Sequence, residues 1–138
     1  MKNAQEMYEM SYGKGWFKSW TFAHFALIEE DMDEKQENAQ LCFTGLVSMP
    51  PYLFPLIHKG NWAFAVTEKR IMFAQEHIIG STSKSLFLNA VRDVTYKRGI
   101  YFGVIIIDAV TERIEVAFEK NECKKAVKKL MEILGRGK

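Results

Sequence analysis

Five lysines crowd one short stretch near the end of the chain: Lys120, Lys124, Lys125, Lys128 and Lys129. Ammonium groups gathered this way attract phosphate, from lipid headgroups or from nucleic acid. Glu119, Glu122 and Glu132 dilute the charge, and cations late in a helix favour its dipole, so a solvated helix face accounts for the same residues. A second stretch with binding chemistry runs from Ser48 to Gly60. His58 and Lys59 offer an anion contact there, and Tyr52, Leu53 and Phe54 offer an apolar one to a membrane surface, a partner chain or the protein's own N-terminal helix. A third is aromatic: Trp16, Phe17 and Trp20. Chemistry of the catalytic kind is missing. His24, His58 and His77 share no metal-ligand spacing, and Cys42 and Cys123 lie far apart in sequence. Asp93 and Asp108 have no histidine or serine near them in sequence. There is no Gly-x-Ser-x-Gly, no phosphate-binding glycine loop and no paired-acid motif. The chain reads as a non-enzyme without metal or cofactor.

Composition narrows the class further. A chain of 138 residues is one ordinary domain, with room for an appended terminal element. Hydrophobic residues at 48% against 26% charged predict a real core rather than disorder. Aromatics at 13% suit β-rich packing, where rings fill a pleated surface. A net charge of +2 is too mild to imply nucleic acid, and basic and aromatic residues are not interleaved as base-stacking platforms require. No nucleic-acid partner is expected. The first residues carry no apolar signal region, and runs such as Val104 to Ile107 are too short to span a bilayer. The reading is a cytoplasmic protein, with the lysines leaving peripheral membrane association open. Both cysteines sit among apolar neighbours and read as reduced core thiols.

The elements that position these residues divide the chain in two. Residues 1–38 read as a helical extension. Ala4 to Met10 suits a short helical turn. From Trp16 to Glu30, the positions Phe17, Trp20, Ala23, His24, Leu27 and Ile28 follow helical spacing and predict an amphipathic helix. An acidic cluster from Glu29 to Glu37 predicts a break near Asp31, because carboxylates oppose the dipole at a helix C-terminus. Residues 39–138 read as strands and then one helix. A first strand covers Ala39 to Val47 and ends at Pro50-Pro51. In Asn61 to Gln75, Trp62, Phe64 and Val66 alternate with Ala63 and Ala65. Ile71 and Phe73 alternate with Met72 and Ala74, and the polar tetrad Thr67-Glu68-Lys69-Arg70 lies between. That is a hairpin, with Lys69-Arg70 and Lys97-Arg98 keeping turns soluble. Gly80 to Ser83 reads as a turn, Ser85 to Asn89 and Val91 to Lys97 as strands. Ile100 to Val110 reads as a strand buried on both faces at its centre, and Ile114, Val116 and Phe118 mark a half-buried one. The last helix runs from Asn121, its expected N-cap, to Leu134. Cys123, Ala126, Val127, Leu130, Ile133 and Leu134 form its apolar stripe, and Gly135 suits the C′ position.

The hairpin Ala65-Val66-Thr67-Glu68-Lys69-Arg70-Ile71-Met72-Phe73 resembles the "T-x-K-R-hydrophobic-hydrophobic" hairpin of bacterial pleckstrin-homology (PH)-like domains, the YokE-like branch most nearly. Leu86 to Val94, the strand Gly99 to Asp108 and the lysine-rich last helix extend the resemblance over residues 39 to 135. It implies a mainly β (α+β) fold: a seven-stranded antiparallel barrel or sandwich capped by a C-terminal amphipathic helix, here with an extra N-terminal helical segment. In eukaryotic PH domains the first inter-strand loop grips phosphoinositides with lysines and arginines. Here that loop offers only His58 and Lys59.

The expected function is a non-catalytic binding or scaffold module for protein–protein contact, including homo-oligomer formation. Its contact residues would be Trp16, Phe17, Trp20, Tyr52, Leu53 and Phe54. The alternative is a module for an anionic membrane surface, with His58, Lys59, Lys124, Lys125, Lys128 and Lys129 on the phosphates.

Overall fold

Alternating residue size decides where the two central strands go. In β2 (Asn61–Val66), Trp62, Phe64 and Val66 point into one buried cluster and Ala63 and Ala65 into another. In β3 (Arg70–Glu76), Ile71 and Phe73 join the first cluster, and Met72 and Ala74 the second. Both strands are therefore buried on both faces. The large residues fill a barrel, and the small ones let a helix lie close against the outer face. These positions come from a computed structural model that describes residues 1–14, 18–48, 61–76 and 80–135.

The other strands are β1 (Leu41–Ser48), β4 (Ser81–Phe87), β5 (Val91–Arg98), β6 (Phe102–Ala109) and β7 (Arg113–Glu119). They form one seven-stranded antiparallel sheet in the order β4-β3-β2-β1-β7-β6-β5. The chain thus makes two meanders that meet at β1 and β7. That seam is short, with Leu46, Val47 and Ser48 opposite Ala117, Val116 and Glu115. Phenylalanines continue the closure beyond it. Phe43 stacks on Phe64 at 4.8 Å between ring centroids, Phe64 on Phe73 at 5.2 Å, and Phe43 reaches Phe118 of β7 at 5.8 Å.

The described residues add three helices: α1 (Ala4–Met10), α2 (Lys18–Asp31) and α3 (Lys120–Ile133). α3 buries Cys123, Ala126, Val127 and Leu130 in the barrel cluster, with Ile133 and Leu134 half-buried beside them. This is the amphipathic cap expected from the spacing, and Gly135 takes the left-handed conformation (φ 74°) just after it. α1 and α2 pack on each other, α1 also on β1, and α2 over β2 and β3. Between them, Tyr12 pairs in parallel with Phe43 on the edge of β1 that β7 has left. Gly13 follows with φ 67°, and a Cβ there would sit 2.8 Å from the Thr44 carbonyl oxygen. Only glycine fits so close an approach.

The structure departs from the sequence reading at several places, each for a local reason. α2 turns Thr21 and Phe25 inward beside the expected His24 and Ile28, which moves Trp20 to the flank of the stripe, 42% exposed. The inner stripe includes a threonine whose hydroxyl donates to the Lys14 carbonyl (3.0 Å) and a histidine whose Nδ1 accepts the Glu76 N–H (2.8 Å). Ser81 to Ser83 belong to β4, not to a turn. This is an edge strand whose register on β3 comes from backbone pairing, and polar side chains suit its exposed face. Leu88 and Asn89 leave β4 for a short 3-10 turn. A bulge between Val91 and Asp93 breaks strict alternation and turns Val91 and Val94 both inward. The N-cap of α3 is Glu119, whose carboxylate accepts the Asn121 N–H. The Ser48–Gly60 loop lies beyond the described residues except at Ser48, the last residue of β1.

Phe64 is fully buried between two stacked rings. Phe64→Ala is expected to cost about 3–5 kcal/mol of stability in urea unfolding. A loss under about 1 kcal/mol would mean that the ring ladder contributes little to closure.

Candidate functional site

The hairpin tetrad is densely hydrogen-bonded, and its bonds are internal. Thr67 O–H donates to Glu37 (2.7 Å), and its oxygen accepts from the N–H groups of Lys69 (3.1 Å) and Arg70 (3.2 Å). Arg70 grips the same carboxylate twice, Nε at 3.0 Å and Nη2 at 2.8 Å, and Nη2 also donates to the Asp31 carbonyl at 2.9 Å. Glu68 accepts the Asn38 N–H at 2.9 Å, and Lys69 donates to Gln36. Lys69 and Arg70 therefore do more than solubilise a turn: the tetrad fastens the segment after α2 to the barrel. The Glu37 side chain is 2% exposed. Arg70 and Thr67 hold its carboxyl down to about 2 against the desolvation that opposes them. Burial pushes the thiols of Cys42 and Cys123 up to about 12, with Glu119 adding to the effect at Cys123. Both thiols are protonated at neutral pH and sit inside the core, which suits packing and not nucleophilic chemistry.

Three surfaces among the described residues remain for contact with something else. One is α2, where Trp20 (42% exposed) and Phe22 (38%) stand on opposite flanks of the buried stripe. α2 is thus apolar on both sides, although it lies at the surface. The second is the exposed face of α3, with Lys124, Lys125, Lys128 and Lys129 all in water. None of these lysines takes part in the ion pairs found among the described residues, Arg70–Glu37, Lys84–Glu112 and Arg113–Glu115. The third lies where β1 parts from β7. A cleft of about 230 Å³ opens there, lined by Gly13, Lys14, Leu46, Phe102 and Phe118 among others. Its mouth carries exposed Leu46 and Phe102, and Phe102 leads into Ile100 and Tyr101 at the β5–β6 turn.

Of the residues singled out from sequence, the structure places Trp20 and the four lysines, and it places them on separate elements. Trp16, Phe17, Tyr52, Leu53, Phe54, His58 and Lys59 lie outside the described residues. Ile100 and Tyr101 escaped the sequence reading, because an apolar β-branched residue next to a strand reads as part of it. The available signal was Lys97-Arg98-Gly99, a turn marker that put the next residues at a hairpin tip. Among the described residues no group of histidine, cysteine and carboxylate side chains could hold a metal ion, and no helix is long and apolar enough to cross a membrane.

Known proteins place this geometry. A family model for the bacterial PH domain matches residues 34–134, from the turn after α2 to the end of α3. The chain has no match among curated proteins. Among solved structures the Vps36 N-terminal PH domain superposes with a TM-score of 0.52 at 17% identity, over 75% of this chain and 86% of that one. A likeness at this identity is one of fold.

The Glu37 clamp gives two expected outcomes. Arg70→Met leaves a buried carboxylate without its partner and should cost about 3–5 kcal/mol in urea unfolding. The Glu37 pKa is depressed in the folded state, so its contribution is present above about 4.5 and is lost as pH falls from there toward about 2. Unfolding curves of the wild type and Glu37→Gln should therefore converge over that range, and a constant difference would contradict the clamp.

Proposed function

The chain belongs to the bacterial PH domain family, and from that premise we propose that it is a non-catalytic module for protein–protein contact, its own copies included. PH domains are generally binding modules for proteins or lipids, and no catalytic family is indicated here. The observation that supports protein contact is α2. A helix that is apolar all round is normally buried. The inner face of α2 is satisfied by the barrel, yet Trp20 and Phe22 stand in water outside both buried clusters. Such residues cost little when covered by a second protein, and their burial drives the contact. Size-exclusion with light scattering tests this. The wild type is expected to be larger than a monomer at micromolar concentration, and Trp20→Glu/Phe22→Glu to be monomeric while still unfolding cooperatively at a lowered melting temperature. A strictly monomeric wild type would remove self-association.

A second reading has its own observation, the four unpaired lysines on the outer face of α3. They favour an anionic membrane surface as the other ligand. At about 1 kcal/mol per cation near an anionic bilayer, Lys124→Gln/Lys128→Gln should weaken vesicle binding roughly thirtyfold at low salt. Co-sedimentation with phosphatidylglycerol-containing vesicles is the measurement, and binding that ignores both charge and salt would end this reading.

A further inference from the structure

Among the described residues the most exposed large apolar side chains are neighbours: Ile100 at 79% and Tyr101 at 77%. They form the tip of the β5–β6 hairpin. Arg98 pairs with Gly103, and the Gly99 N–H donates to the Phe102 carbonyl at 2.8 Å, which closes the hairpin beneath them. The Lys120 N–H donates to the Tyr101 carbonyl at 3.1 Å, which ties the tip to the first residue of α3. The backbone is thus pinned from two directions while the two side chains project into water. Hairpin tips ordinarily carry Gly, Asn, Asp or Ser, and a β-branched residue has no local reason to be there. The hairpin needs neither side chain for its own closure.

The tip has a charged collar. Lys97 and Arg98 stand exposed at the base of the β5 arm, Lys120 begins α3 beside Tyr101, and Lys124 follows one helical turn later, also exposed. Against these four cations stand two carboxylates, Glu119 and Glu122, and Glu119 is turned back to cap α3. Lys128, a further turn along, extends the same basic face.

We propose that the β5–β6 turn is a wedge that enters an anionic bilayer. Ile100 and Tyr101 seat at the boundary of headgroups and acyl chains, and Lys97, Arg98, Lys120 and Lys124 contact the lipid phosphates around them. The proposal rests on the membrane reading of α3 and adds the element that penetrates. Charge complementarity selects this occupant, because an apolar tip inside a cationic collar matches an anionic bilayer in both layers. Tyrosine suits the boundary, with an apolar ring and a polar hydroxyl.

The test is co-sedimentation of the full chain with vesicles of phosphatidylcholine plus phosphatidylglycerol, and with vesicles of phosphatidylcholine alone. The wild type, Ile100→Ser/Tyr101→Ser and Lys124→Gln/Lys128→Gln are compared. Both tip residues are exposed, so the tip variant is expected to keep the wild-type melting temperature. If the wedge inserts, the tip variant binds the anionic vesicles at least about tenfold more weakly than the wild type, and the deficit persists at high salt because its origin is apolar. A tip variant that binds as well as the wild type, while the lysine variant binds less, would overturn the wedge and leave the membrane reading standing. Absence of wild-type binding would end both. Equal wild-type binding to neutral vesicles would overturn the charged collar. Loss of a dimer in the tip variant, seen by light scattering without vesicles, would assign the tip to a second copy of the chain and overturn the wedge.

Discussion

Four phenylalanines in a row line the barrel interior across the shortest of its paired seams. The seam between β1 and β7 has three residue pairs, and beyond Leu46 the two strands separate. The rings of Phe118, Phe43, Phe64 and Phe73 cross that place on the inner face, each stacked on the next, with interplanar angles of 17°, 9° and 15°. Stacking adds about 0.5–1.5 kcal/mol per pair to the burial itself, so three contacts contribute on the order of 3 kcal/mol. The join between the two meanders is therefore apolar as well as hydrogen-bonded. A seam held this way leaves one stretch of β1 edge unpaired by β7, and the edge is taken by Tyr12, whose N–H and carbonyl bond to Cys42 and Thr44 at 2.9 and 3.0 Å. The N-terminal segment thus completes the sheet at the point where the barrel opens.

The outer face of the same strands sets the second constraint. Ala63, Ala65 and Ala74 leave a shallow floor with Met72, and a bare floor of that kind would expose a continuous apolar strip. α2 covers it with Phe25 and Ile28, and α1 backs α2 with Met7. A helix lying on alanines can slide. The hairpin tetrad prevents that by holding the chain just past the helix end at Asp31, Gln36, Glu37 and Asn38. Burying a carboxylate there is tolerable because Glu37 receives three charge-assisted or hydroxyl hydrogen bonds, enough to offset its lost hydration. The clamp thus fixes register as well as adding stability.

Strand and helix positions were legible where side-chain size alternates or repeats over many residues. The Trp62–Val66 and Ile71–Ala74 pattern and the stripe from Cys123 to Leu134 each specify one solution. The misreadings share a cause. Thr21 belongs to the buried face of α2 because its hydroxyl donates to the Lys14 carbonyl, and no period in the sequence reports such a partner. Trp20, read both as part of the helical stripe and as a contact residue, lies at the flank of the buried stripe and is 42% exposed. Ser81 to Ser83 read as a turn from composition, but an edge strand needs a paired neighbour more than it needs propensity. The exposed lysines of α3 were legible at once, since a solvated helix face is local. Ile100 and Tyr101 were not, because their exposure follows from where the β5–β6 ladder ends.

Two apolar features survive after the fold has satisfied its own requirements, and they lie on different parts of the sheet. α2 sits over β2 and β3, while the β5–β6 tip and α3 belong to the half built by β5, β6 and β7. Neither is explained by the core. Trp20 and Phe22 stand outside both buried clusters, and Ile100 and Tyr101 extend past the last hydrogen-bonded pair of their hairpin. Chance exposure of single apolar residues is normal in any protein. The tip is different, because two apolar neighbours on a backbone pinned by hydrogen bonds are presented rigidly, and a rigid presentation lowers the entropy lost when a surface is covered. It stands on other elements than Trp20 and Phe22 of α2, so the two exposures have separate structural origins.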